Sequence, residues 1–577
     1  MQPVLTAAQM REVDRLTTEI YGIPSIVLME NAAHAVARVI TEKLGGSVKG
    51  RSILILCGKG NNGGDGAALA RLLVSDGGQV TVVLLGKVAA TKGDARTNFD
   101  ALREIETVTP PLRLLEATDL ATFREALSCD RFNCIIDAMF GTGLDRPPEG
   151  LFRDAISEIN ATAATFGEPD RRPMIVSVDI PSGLFSDLSN TPEIFLEADT
   201  TVTFTAPKPA NVLAPSSSFN GELIVADIGS PRELIDAQTS QLYLAEKADA
   251  ANWLEATAFS AASYKNERGH SLIIAGSREF SGAAVLAGNS AMRSGVGLVT
   301  VVTPTSSKDA TASRTLPEVM VRGVAETESG SVAEEAFDEI ADILKKADSI
   351  AVGSGLSQNE STRKFVEKVV VNRSQPVVVD ADALNLLSPF AERVGSPHVS
   401  KGSRETKGIS FDANRPPAHA GGSDMLPAYD GGLILTPHEG EFARLRGERE
   451  NNPDAAASLK KDRVAVVREF ATKHNVILVL KGERVLIAAP DGRVVVNPTG
   501  NSGLGKAGNG DTLTGIIAGF TAQAAKMNID IFKTVVAAVY VAGMAGDLCE
   551  KKYGKRVMTA SDVRECLSDA FASLSAS

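Results

Sequence analysis

Two glycine-rich loops that contain aspartate lie near opposite ends of the chain and have residue types that can hold anionic ligands. The first reads GKGNNGGDG over residues 58–66, and the second reads AGNGD over residues 507–511. Each loop follows an apolar run and precedes a helix-like stretch, which is where free backbone amides collect and bind anions. Two such loops predict two active sites.

The first loop fits neither of the two common nucleotide-binding patterns. Gly58, Gly60 and Gly63 have the dinucleotide spacing, but the next apolar run ends in Gly86, so the acid that holds ribose hydroxyls is absent. No Gly-Lys-Ser or Gly-Lys-Thr closes the loop, which excludes a P-loop. The loop is then either a ligand pocket lined by side-chain amides or a tight strand-to-helix turn with Asx hydrogen bonds. The polar residues available for a pocket are Asn61, Asn62 and Asp65.

Two more polar segments follow apolar runs in the first half of the chain. The segment DAMFGTGL begins at Asp137, and the segment DIPSG begins at Asp179. Ligands of parallel α/β sheets bind outside the carboxyl ends of the strands, so we expect Asn62, Asp137 and Asp179 to converge.

The second loop predicts phosphate chemistry. It follows PTGN at residues 498–501 and precedes an apolar helix-like run. A glycine turn before a helix presents amides to a phosphate, and Asp511 could take a proton from a hydroxyl that attacks it. The alternative is that Asp511 is a plain helix N-cap.

Other segments of the second half occupy equivalent positions after apolar runs. They are GSG at 353–355, DADALN at 380–385, TPHEGE at 436–441 and KGERV at 481–485, with SGAA at 281–284 opening a helix. His438 alone would be a structural histidine, but within this set ligand contact is favoured.

The elements that must position these residues alternate between strands and helices. Strands are predicted at 52–57, 80–85, 134–136, 174–178 and 200–205, and in the second half at 271–275, 298–302, 349–352, 377–379, 433–435, 476–480 and 485–488. This alternation predicts two doubly wound, three-layer α/β domains with parallel sheets. Residues 232–262 form the junction, and 388–432 are an atypical insertion, either a bland mobile segment or a lid.

Composition narrows the function further. The chain has 577 residues and a formal charge of -12, which argues against nucleic-acid binding as its main task. Five cysteines without metal-ligand spacing predict a reduced, cytoplasmic protein. No signal sequence and no uncharged apolar run of membrane-spanning length are present, so no membrane association is expected.

The first half resembles the YjeF N-terminal family, the NAD(P)H-hydrate epimerases, through GKGNNGGDG, DAMFGTGL and SVDIPSG. The resemblance covers about residues 1–235 and implies a Rossmann-like fold that interconverts the two epimers of hydrated NADH or NADPH. It implies a potassium ion bound by Asn62, Asp137 and Ser182, and Asp179 as the proton-transfer group, unless Asp179 only caps a loop. The implied substrate-binding residues are Asn61, Asn62, Gly63, Gly64, Asp65, Gly141, Thr142, Gly143, Leu144, Asp145, Arg146, Pro147 and Asp179.

The second half resembles the YjeF C-terminal family, the ribokinase-like NAD(P)H-hydrate dehydratases, through DADALN, TPHEGEFARL, LKG, PTGN and GNGD. The resemblance implies removal of water from the S epimer, driven by ADP or ATP with Mg²⁺, and Asp511 as the base. It places Ala283, Gly355, His438 and Asp511 at the hydrated cofactor. It places Lys481, Gly482, Glu483, Arg484, Val485 and Gly510 at the adenine nucleotide.

Together the two resemblances imply a bifunctional repair enzyme that is a homo-oligomer. The expected domains are an epimerase at 1–235, a linker at 236–262 and a dehydratase at 263–577. The alternative is a ribokinase-like kinase of a small alcohol or vitamin precursor, fused to a binding domain without catalysis. The loop GLGKAGNGD departs from the family, and its Lys506 could strengthen phosphate binding or signal an altered nucleotide preference. The sequence does not decide between ADP and ATP.

Overall fold

The structure is a computed structural model of the chain, and it describes residues 1–109, 112–128, 131–165, 172–394, 432–448, 459 and 462–575. The chain forms two compact units, and the boundary falls between Leu244 and Ala245. This boundary lies within the segment predicted as a linker, which contains a short strand at Leu242–Leu244 and a helix at Lys247–Ala256.

The first unit contains a parallel sheet with the strand order β4-β3-β2-β5-β6-β7-β8. The strands of this sheet are β2 (Ser52–Cys57), β3 (Gln79–Leu85), β4 (Leu112–Ala117), β5 (Cys134–Ala138), β6 (Met174–Val178), β7 (Thr200–Phe204) and β8 (Glu222–Ala226). The unit also contains β1 (Gln2–Pro3) and β9 (Leu242–Leu244), which lie outside this sheet and pair with each other antiparallel. Its helices are α1 (Ala7–Tyr21), α2 (Ser25–Lys43), α3 (Asn61–Ser75), α4 (Gly93–Val108), α5 (Leu120–Ser128), α6 (Leu151–Thr165), α7 (Pro209–Val212) and α8 (Arg232–Asp236).

This sheet is covered on both faces. Along β2, Ile53 and Ile55 belong to one buried cluster, whereas Leu54 and Leu56 belong to another. Successive side chains of a strand point to opposite faces, so a strand buried on both faces reads as a continuous apolar run. The doubly wound α/β prediction is confirmed for this unit.

The second unit contains a mixed sheet that includes the strand order β18-β17-β16-β15-β14-β13-β10-β11-β12. The strands from β10 to β16 pair in parallel, and β17 and β18 pair antiparallel at one side. They are β10 (His270–Ile274), β11 (Leu298–Pro304), β12 (Met320–Val324), β13 (Ser349–Val352), β14 (Val377–Val379), β15 (Leu433–Leu435), β16 (Ile477–Leu480), β17 (Leu486–Ala488) and β18 (Val494–Val496).

The helices of the second unit alternate with these strands as predicted. They are α9 (Lys247–Ala256), α10 (Ser281–Arg293), α11 (Lys308–Ala312), α12 (Ala336–Glu339), α13 (Ala341–Lys346), α14 (Glu360–Val371), α15 (Asp382–Leu386), α16 (Phe390–Arg393), α17 (Glu439–Leu445), α18 (Arg463–His474), α19 (Asn509–Met527), α20 (Ile531–Tyr553), α21 (Ala560–Glu565) and α22 (Leu567–Ser575).

One helix among the described residues, α20, is long and apolar enough to cross a membrane by length and composition. It contains Lys533 and Asp547, and 61% of its most apolar window is buried within the protein. A core helix passes the same test, so this is weak evidence for a membrane span.

Several strands that the sequence did not reveal lie at sheet edges, and three of them pair in parallel with a predicted strand. These three are β4 and β8 in the first unit and β12 in the second. Edge strands are partly exposed and interrupt their apolar residues with charges, as β12 does with Arg322. The middle of the predicted insertion, residues 395–431, lies outside the described residues, and α16 occupies part of its beginning.

Candidate active sites

The first glycine loop approaches the end of β5 closely enough that only glycine fits. A Cβ atom on Gly58 would lie 2.0 Å from the carbonyl oxygen of Met139, and one on Gly63 would lie 1.8 Å from the carbonyl oxygen of Gly58. Gly60 caps α3, which therefore begins at Asn61. The glycine spacing brings Asn62 and the residues after β5 to the same edge of the sheet.

Asp137 and Ser182 form one buried polar cluster at this edge. The Ser182 hydroxyl donates to Asp137 Oδ1 at 2.5 Å, and the Ser182 amide donates to Oδ2 at 2.8 Å. Ser177 Oγ and the Met139 amide also donate to this carboxylate, at 3.0 and 3.3 Å. Burial raises the pKa of Asp137, and these hydrogen bonds oppose the rise. A fully buried carboxylate with only neutral donors is a favourable neighbour for a cation.

Asp179 forms a buried ion pair with a lysine that the sequence analysis did not identify. The ammonium of Lys208 donates to Asp179 Oδ1 at 2.6 Å, and Thr203 Oγ1 donates to the same oxygen at 3.0 Å. Lys208 is 1% exposed and Asp179 is 8% exposed. Asp179 has a φ of 69°, a left-handed conformation that is uncommon outside glycine and recurs at functional sites. The segment APKPA is the available signal, because its lysine comes soon after the apolar strand Thr200–Phe204.

Gly141 brings Asn62 and Asp179 to a common point. A Cβ atom on Gly141 would lie 3.1 Å from Asp179 Oδ2 and 3.2 Å from Asn62 Oδ1. The Nδ2 atom of Asn62 is buried and has no hydrogen-bond partner among the described residues. Asn62 Oδ1 and Asp179 Oδ2 therefore border the space that Gly141 leaves open.

A cavity of about 720 Å³ occupies this edge of the first unit. It is lined by most of the residues predicted to hold substrate: Asn61, Asn62, Asp65, Gly141, Thr142, Gly143, Leu144, Asp145, Arg146, Pro147 and Asp179. Gly63 and Gly64 are not among the lining residues. A Cβ atom on Gly63 would meet Gly58, and one on Gly64 would meet Met29 and Ala95. Asp137 and Ser182 are buried outside the lining. Lys208 and Asp14 also line the cavity, and the sequence analysis identified neither.

The cavity contains carboxyl groups with perturbed acidity. Burial raises the pKa of Asp65 well above its ordinary value, and the charges of Asp179 and Asp14 add to the rise. Burial also raises the pKa of Asp14 to about 6, although Lys208 opposes that rise. Carboxyl groups with such shifts in a cleft are typical of proton-transfer sites.

In the second unit, Lys481 lies among carboxylates at the carboxyl ends of β14, β15 and β16. Its ammonium donates to Asp380 Oδ1 at 2.7 Å and lies 3.9 Å from Glu441 Oε2. Burial opposes the charge of Lys481, but Asp380 and Glu441 outweigh it and raise its pKa. Burial likewise opposes the charge of Asp380, but Lys481, Thr436 and Thr514 lower its pKa. Burial raises the pKa of Glu441.

Asp511 is not the N-cap of its helix, so the structural alternative for this residue is wrong. Gly508 occupies that position with a φ of 89°, and Asp511 lies in the first turn of α19. Burial raises the pKa of Asp511 to about 6, although the Ser354 hydroxyl lowers it. A Cβ atom on Gly510 would lie 3.5 Å from Lys481 Nζ. The helix N-terminus, the lysine and the aspartate thus adjoin one another.

Two of the residues predicted at the hydrated cofactor adjoin each other near this helix. A Cβ atom on Gly355, whose φ is 64°, would lie 2.9 Å from Ala283 Cβ. His438 is the N-cap of α17, because its Nδ1 accepts hydrogen bonds from the amides of Gly440 and Glu441. Its side chain is 56% exposed, so Nε2 can still reach a ligand.

The predicted nucleotide segment 481–485 is irregular between β16 and β17. Gly482 has a φ of 151° and Arg484 a φ of 54°. Arg484 donates to the carbonyl oxygen of Pro498, and the carbonyl oxygen of Glu483 accepts a hydrogen bond from Arg463. Val485 contacts the following strand region through Asn497, whose amide donates to its carbonyl oxygen at 2.9 Å.

Lys506 has a structural use. Its ammonium donates to the carbonyl oxygens of Lys555, Arg556 and Met558, at 3.0, 2.7 and 2.9 Å. An ammonium has three protons, and all three are engaged. The structure thus accounts for this departure from the family pattern without a contact to phosphate.

Comparisons with known proteins cover the whole chain. The family described as the YjeF-related protein N-terminus matches residues 25–210, and the family described as NAD(P)H-hydrate dehydratase matches residues 271–401 and 416–568. A bifunctional NAD(P)H-hydrate repair enzyme of Moorella thermoacetica is 36% identical over 564 residues, which are 98% of this chain and 96% of that protein. A protein of the same name from Thermofilum pendens is 31% identical, over 99% of this chain and 96% of that protein.

A solved structure matches the second unit's part of the chain. It is the ADP/ATP-dependent NAD(P)H-hydrate dehydratase of Bacillus subtilis, co-crystallised with ATP and Mg²⁺. It is 28% identical, covers 57% of this chain and 98% of its own chain, and has a TM-score of 0.43.

Proposed function

This chain belongs to the bifunctional NAD(P)H-hydrate repair enzymes, and on that basis we propose which of its residues carry out the two reactions. The epimerase works in the first unit, with Asp179 as a proton-transfer group. The dehydratase works in the second unit, with Asp511 as the base. One observation supports both assignments: in each unit a buried or partly buried lysine and several carboxyl groups adjoin one another at the carboxyl ends of parallel strands.

In the epimerase, the cavity holds the hydrated nicotinamide ring next to Asn62 and Asp179. The space left by the missing side chain of Gly141 lets the ring approach both polar groups. The contact with Lys208 holds the carboxyl group of Asp179 at the cavity, where it can exchange a proton with a hydroxyl or with water.

Potassium fits the oxygens beneath this cavity. The set of Asn62, Asp137 and Ser182 offers an amide, a carboxylate and a hydroxyl oxygen, all hard donors that suit such a cation. The buried carboxyl group of Asp137, which has neutral donors around it, is consistent with a cation that the protein alone does not supply. Bound potassium would offset the charge of Asp137 and orient Asn62 toward the substrate.

In the dehydratase, Asp511 takes the proton from the ring hydroxyl of the S epimer as that hydroxyl attacks a nucleotide phosphate. The amides of the first turn of α19 and the ammonium of Lys481 stabilise the phosphate charge. Loss of phosphate, assisted by the lone pair of the ring nitrogen, and loss of a proton from the neighbouring ring carbon to water then complete the removal of water. Magnesium would be supplied together with the nucleotide, whose phosphates it would neutralise.

The proposal is tested with an equilibrated mixture of hydrated NADH epimers and the full-length protein. Regained absorbance of NADH is followed with ADP, with ATP and without a nucleotide. Complete recovery with a nucleotide is expected, and the more effective nucleotide identifies the preferred one. Recovery that stops when the S epimer is spent would remove the epimerase assignment. Phosphorylation of a vitamin alcohol without NADH recovery would instead favour the kinase alternative.

The potassium site is tested by exchanging potassium for tetramethylammonium in the same assay. Epimerisation should slow in the wild type, and Asp137→Asn should remove the response to potassium. Equal epimerisation rates in both salts would contradict the site. Dehydration of the pure S epimer is the internal control for protein quality.

The domain bounds at 235 and 263, the homo-oligomer and the cytoplasmic location also stay predictions. The oligomer is tested by the mass of the purified protein in solution.

A further inference from the structure

Asp14 lines the epimerase cavity and has a buried oxygen without a hydrogen-bond partner among the described residues. It lies on α1, whose residues Met10, Arg11 and Asp14 line the cavity. Its Oδ1 atom is buried and has no hydrogen-bond partner among the described residues. Helix α1 is fixed at its start by a capping box between Thr6 and Gln9, so Asp14 is held in place. It lies outside residues 25–210, which the family match covers.

The nearby ammonium cannot bond to Asp14 because its protons are already used. Lys208 donates to Asp179 Oδ1 at 2.6 Å, to Thr203 Oγ1 at 2.9 Å and to the carbonyl oxygen of Phe204 at 3.1 Å. An ammonium has three donors, and this arrangement engages all of them. Asp14 therefore has a cation nearby but is not hydrogen-bonded to it, so its carboxyl group stays available to a ligand in the cavity.

The charged groups around Asp14 favour exchange of its proton. Lys208 after β7, Asp179 after β6, Asp65 on α3 and Arg11 on the same helix are the ionisable groups that share this end of the cavity. Burial raises the pKa of Asp14 to about 6, and Lys208 opposes the rise. The group can thus bind or release a proton near neutral pH, as an acid–base catalyst must.

We propose that Asp14 is a second proton-transfer residue of the epimerase site and exchanges a proton with the hydroxyl of the hydrated nicotinamide ring. This proposal rests on the function proposed for the first unit. It deepens that function, because inversion of a hydroxyl-bearing carbon requires a group that releases the first hydroxyl and a group that activates the second.

The reaction balances without a co-reactant. Asp14 gives its proton to the hydroxyl, the C–O bond breaks, water leaves, and the lone pair of the ring nitrogen forms a C=N bond. A water molecule then adds to the other face of that carbon, the electron pair returns to nitrogen, and Asp179 accepts the proton from the added water. The reverse reaction returns the proton to Asp14, and exchange with solvent has the same result.

The test uses Asp14→Asn in the full-length protein, which keeps the side chain's size and removes its titratable proton. With a single epimer as substrate, epimerisation should fall by about 100-fold or more, the range of acid–base catalysis. Dehydration of the S epimer should not change. The matched control is Glu12→Gln on the same helix, an exposed residue paired with Arg15, and it should epimerise at the wild-type rate.

A pH profile separates catalysis from a structural role. Wild-type epimerisation should fall as the pH rises above about 6, because Asp14 then loses the proton that it must donate. The residual activity of Asp14→Asn should lack this limb, and Asp14→Glu should recover part of both the rate and the limb. A loss of equal size at every pH, with no recovery in Asp14→Glu, would overturn the proposal.

Asp179→Asn separates failure of this proposal from failure of the proposed function. Wild-type epimerisation in Asp14→Asn together with loss in Asp179→Asn would overturn only the role of Asp14. Wild-type epimerisation in both variants would overturn the site assignment itself. Unchanged dehydration and a melting temperature well above the assay temperature show in each case that the protein is folded.

Discussion

Each of the two sites has three carboxyl groups around one lysine. In each site the lysine pairs directly with one of these carboxyl groups, and the other two lie nearby. In the first unit, Lys208 binds Asp179, and Asp14 and Asp65 lie nearby. In the second unit, Lys481 binds Asp380, and Glu441 and Asp511 lie nearby. The same grouping of one lysine and three carboxyl groups thus occurs in both units, for which we propose different reactions.

The difference lies in which carboxyl group is left to exchange protons. Burial raises the pKa of both Asp14 and Asp511 to about 6, and neither is the lysine's closest partner. In the second site the lysine lies beside Gly510 at a helix N-terminus, where it also favours a phosphate. In the first site all protons of the lysine are engaged within the protein, which suits a reaction of neutral hydroxyl groups.

The largest expected effect is the separation of the two activities by single substitutions. Asp511→Asn removes a base and should reduce dehydration by about 10³-fold or more, whereas epimerisation should be retained. Asp179→Asn should have the opposite effect. Each activity is measured separately, with a pure S epimer for dehydration and with either epimer alone for epimerisation. Loss of both activities in one variant would show that the substitution had disrupted folding and not a single reaction.

The next effect tests whether the first lysine holds its carboxylate inside the protein. Lys208→Met leaves the buried Asp179 without its cation and should lower the free energy of unfolding of the first unit by about 3–5 kcal/mol. Chemical denaturation followed by a probe of that unit measures it. The matched control is Lys43→Met, which removes an exposed partner of Glu222 and should cost at most about 1 kcal/mol.

A double variant gives this prediction a second test. Lys208→Met combined with Asp179→Asn removes both charges and should recover most of the lost stability, since the penalty comes from an unpaired buried charge. A double variant as unstable as Lys208→Met alone would show that the lysine stabilises the unit mainly through its contacts with Thr203 and Phe204.

The fold was predictable from sequence where strands are buried on both faces. The strands Ser52–Cys57, Met174–Val178, Ser349–Val352, Val377–Val379 and Leu433–Leu435 have the predicted bounds. Edge strands such as Met320–Val324 were missed because half-exposed residues give no continuous apolar run.

The sites were predictable only where a residue directly follows a strand or lies in a glycine loop. Asp179 and Asp380 meet that condition, and Asp137 lies near the end of β5, so their place at a sheet edge could be predicted. Asp14 does not, because it lies on an ordinary amphipathic helix far from the other site residues in sequence. Lys208 follows a strand, but nothing in its spacing indicates that it pairs with Asp179. Such pairings arise from tertiary packing and leave no local pattern.

A moderate effect concerns pH. The pKa of Asp511 is raised to about 6, so the base is ionised above that pH and protonated below it. Dehydration should therefore be constant at neutral pH and fall about tenfold for each unit below about pH 6. The pH dependence of kcat/KM for the S epimer measures this limb. A limb at the ordinary aspartate value, near pH 4, would contradict the burial of the group.

Ionisation of Asp511 should affect stability and activity in opposite directions. The folded protein holds the Asp511 proton up to about pH 6, whereas the unfolded chain releases it near its ordinary value of 3.8. The ionised group therefore destabilises the fold increasingly as the pH rises from about 4 to 6 and fully above that. Asp511→Asn should be at least as stable as the wild type at pH 8 but inactive, which would show that the carboxylate is retained for chemistry.

The smallest expected effect concerns Lys506, a third lysine, whose protons are all donated within the protein. Its three protons are donated to carbonyl oxygens, so it resembles Lys208 in being engaged within the protein. Lys506→Met should lower the melting temperature by a few degrees, through loss of hydrogen bonds worth about 1–2 kcal/mol together, and leave the KM for nucleotide unchanged. Lys481→Met is the contrasting variant and should raise that KM, since its ammonium lies beside the phosphate-binding turn. If Lys506→Met raised the KM as much as Lys481→Met does, Lys506 would be a phosphate ligand and the structural account of this residue would be wrong.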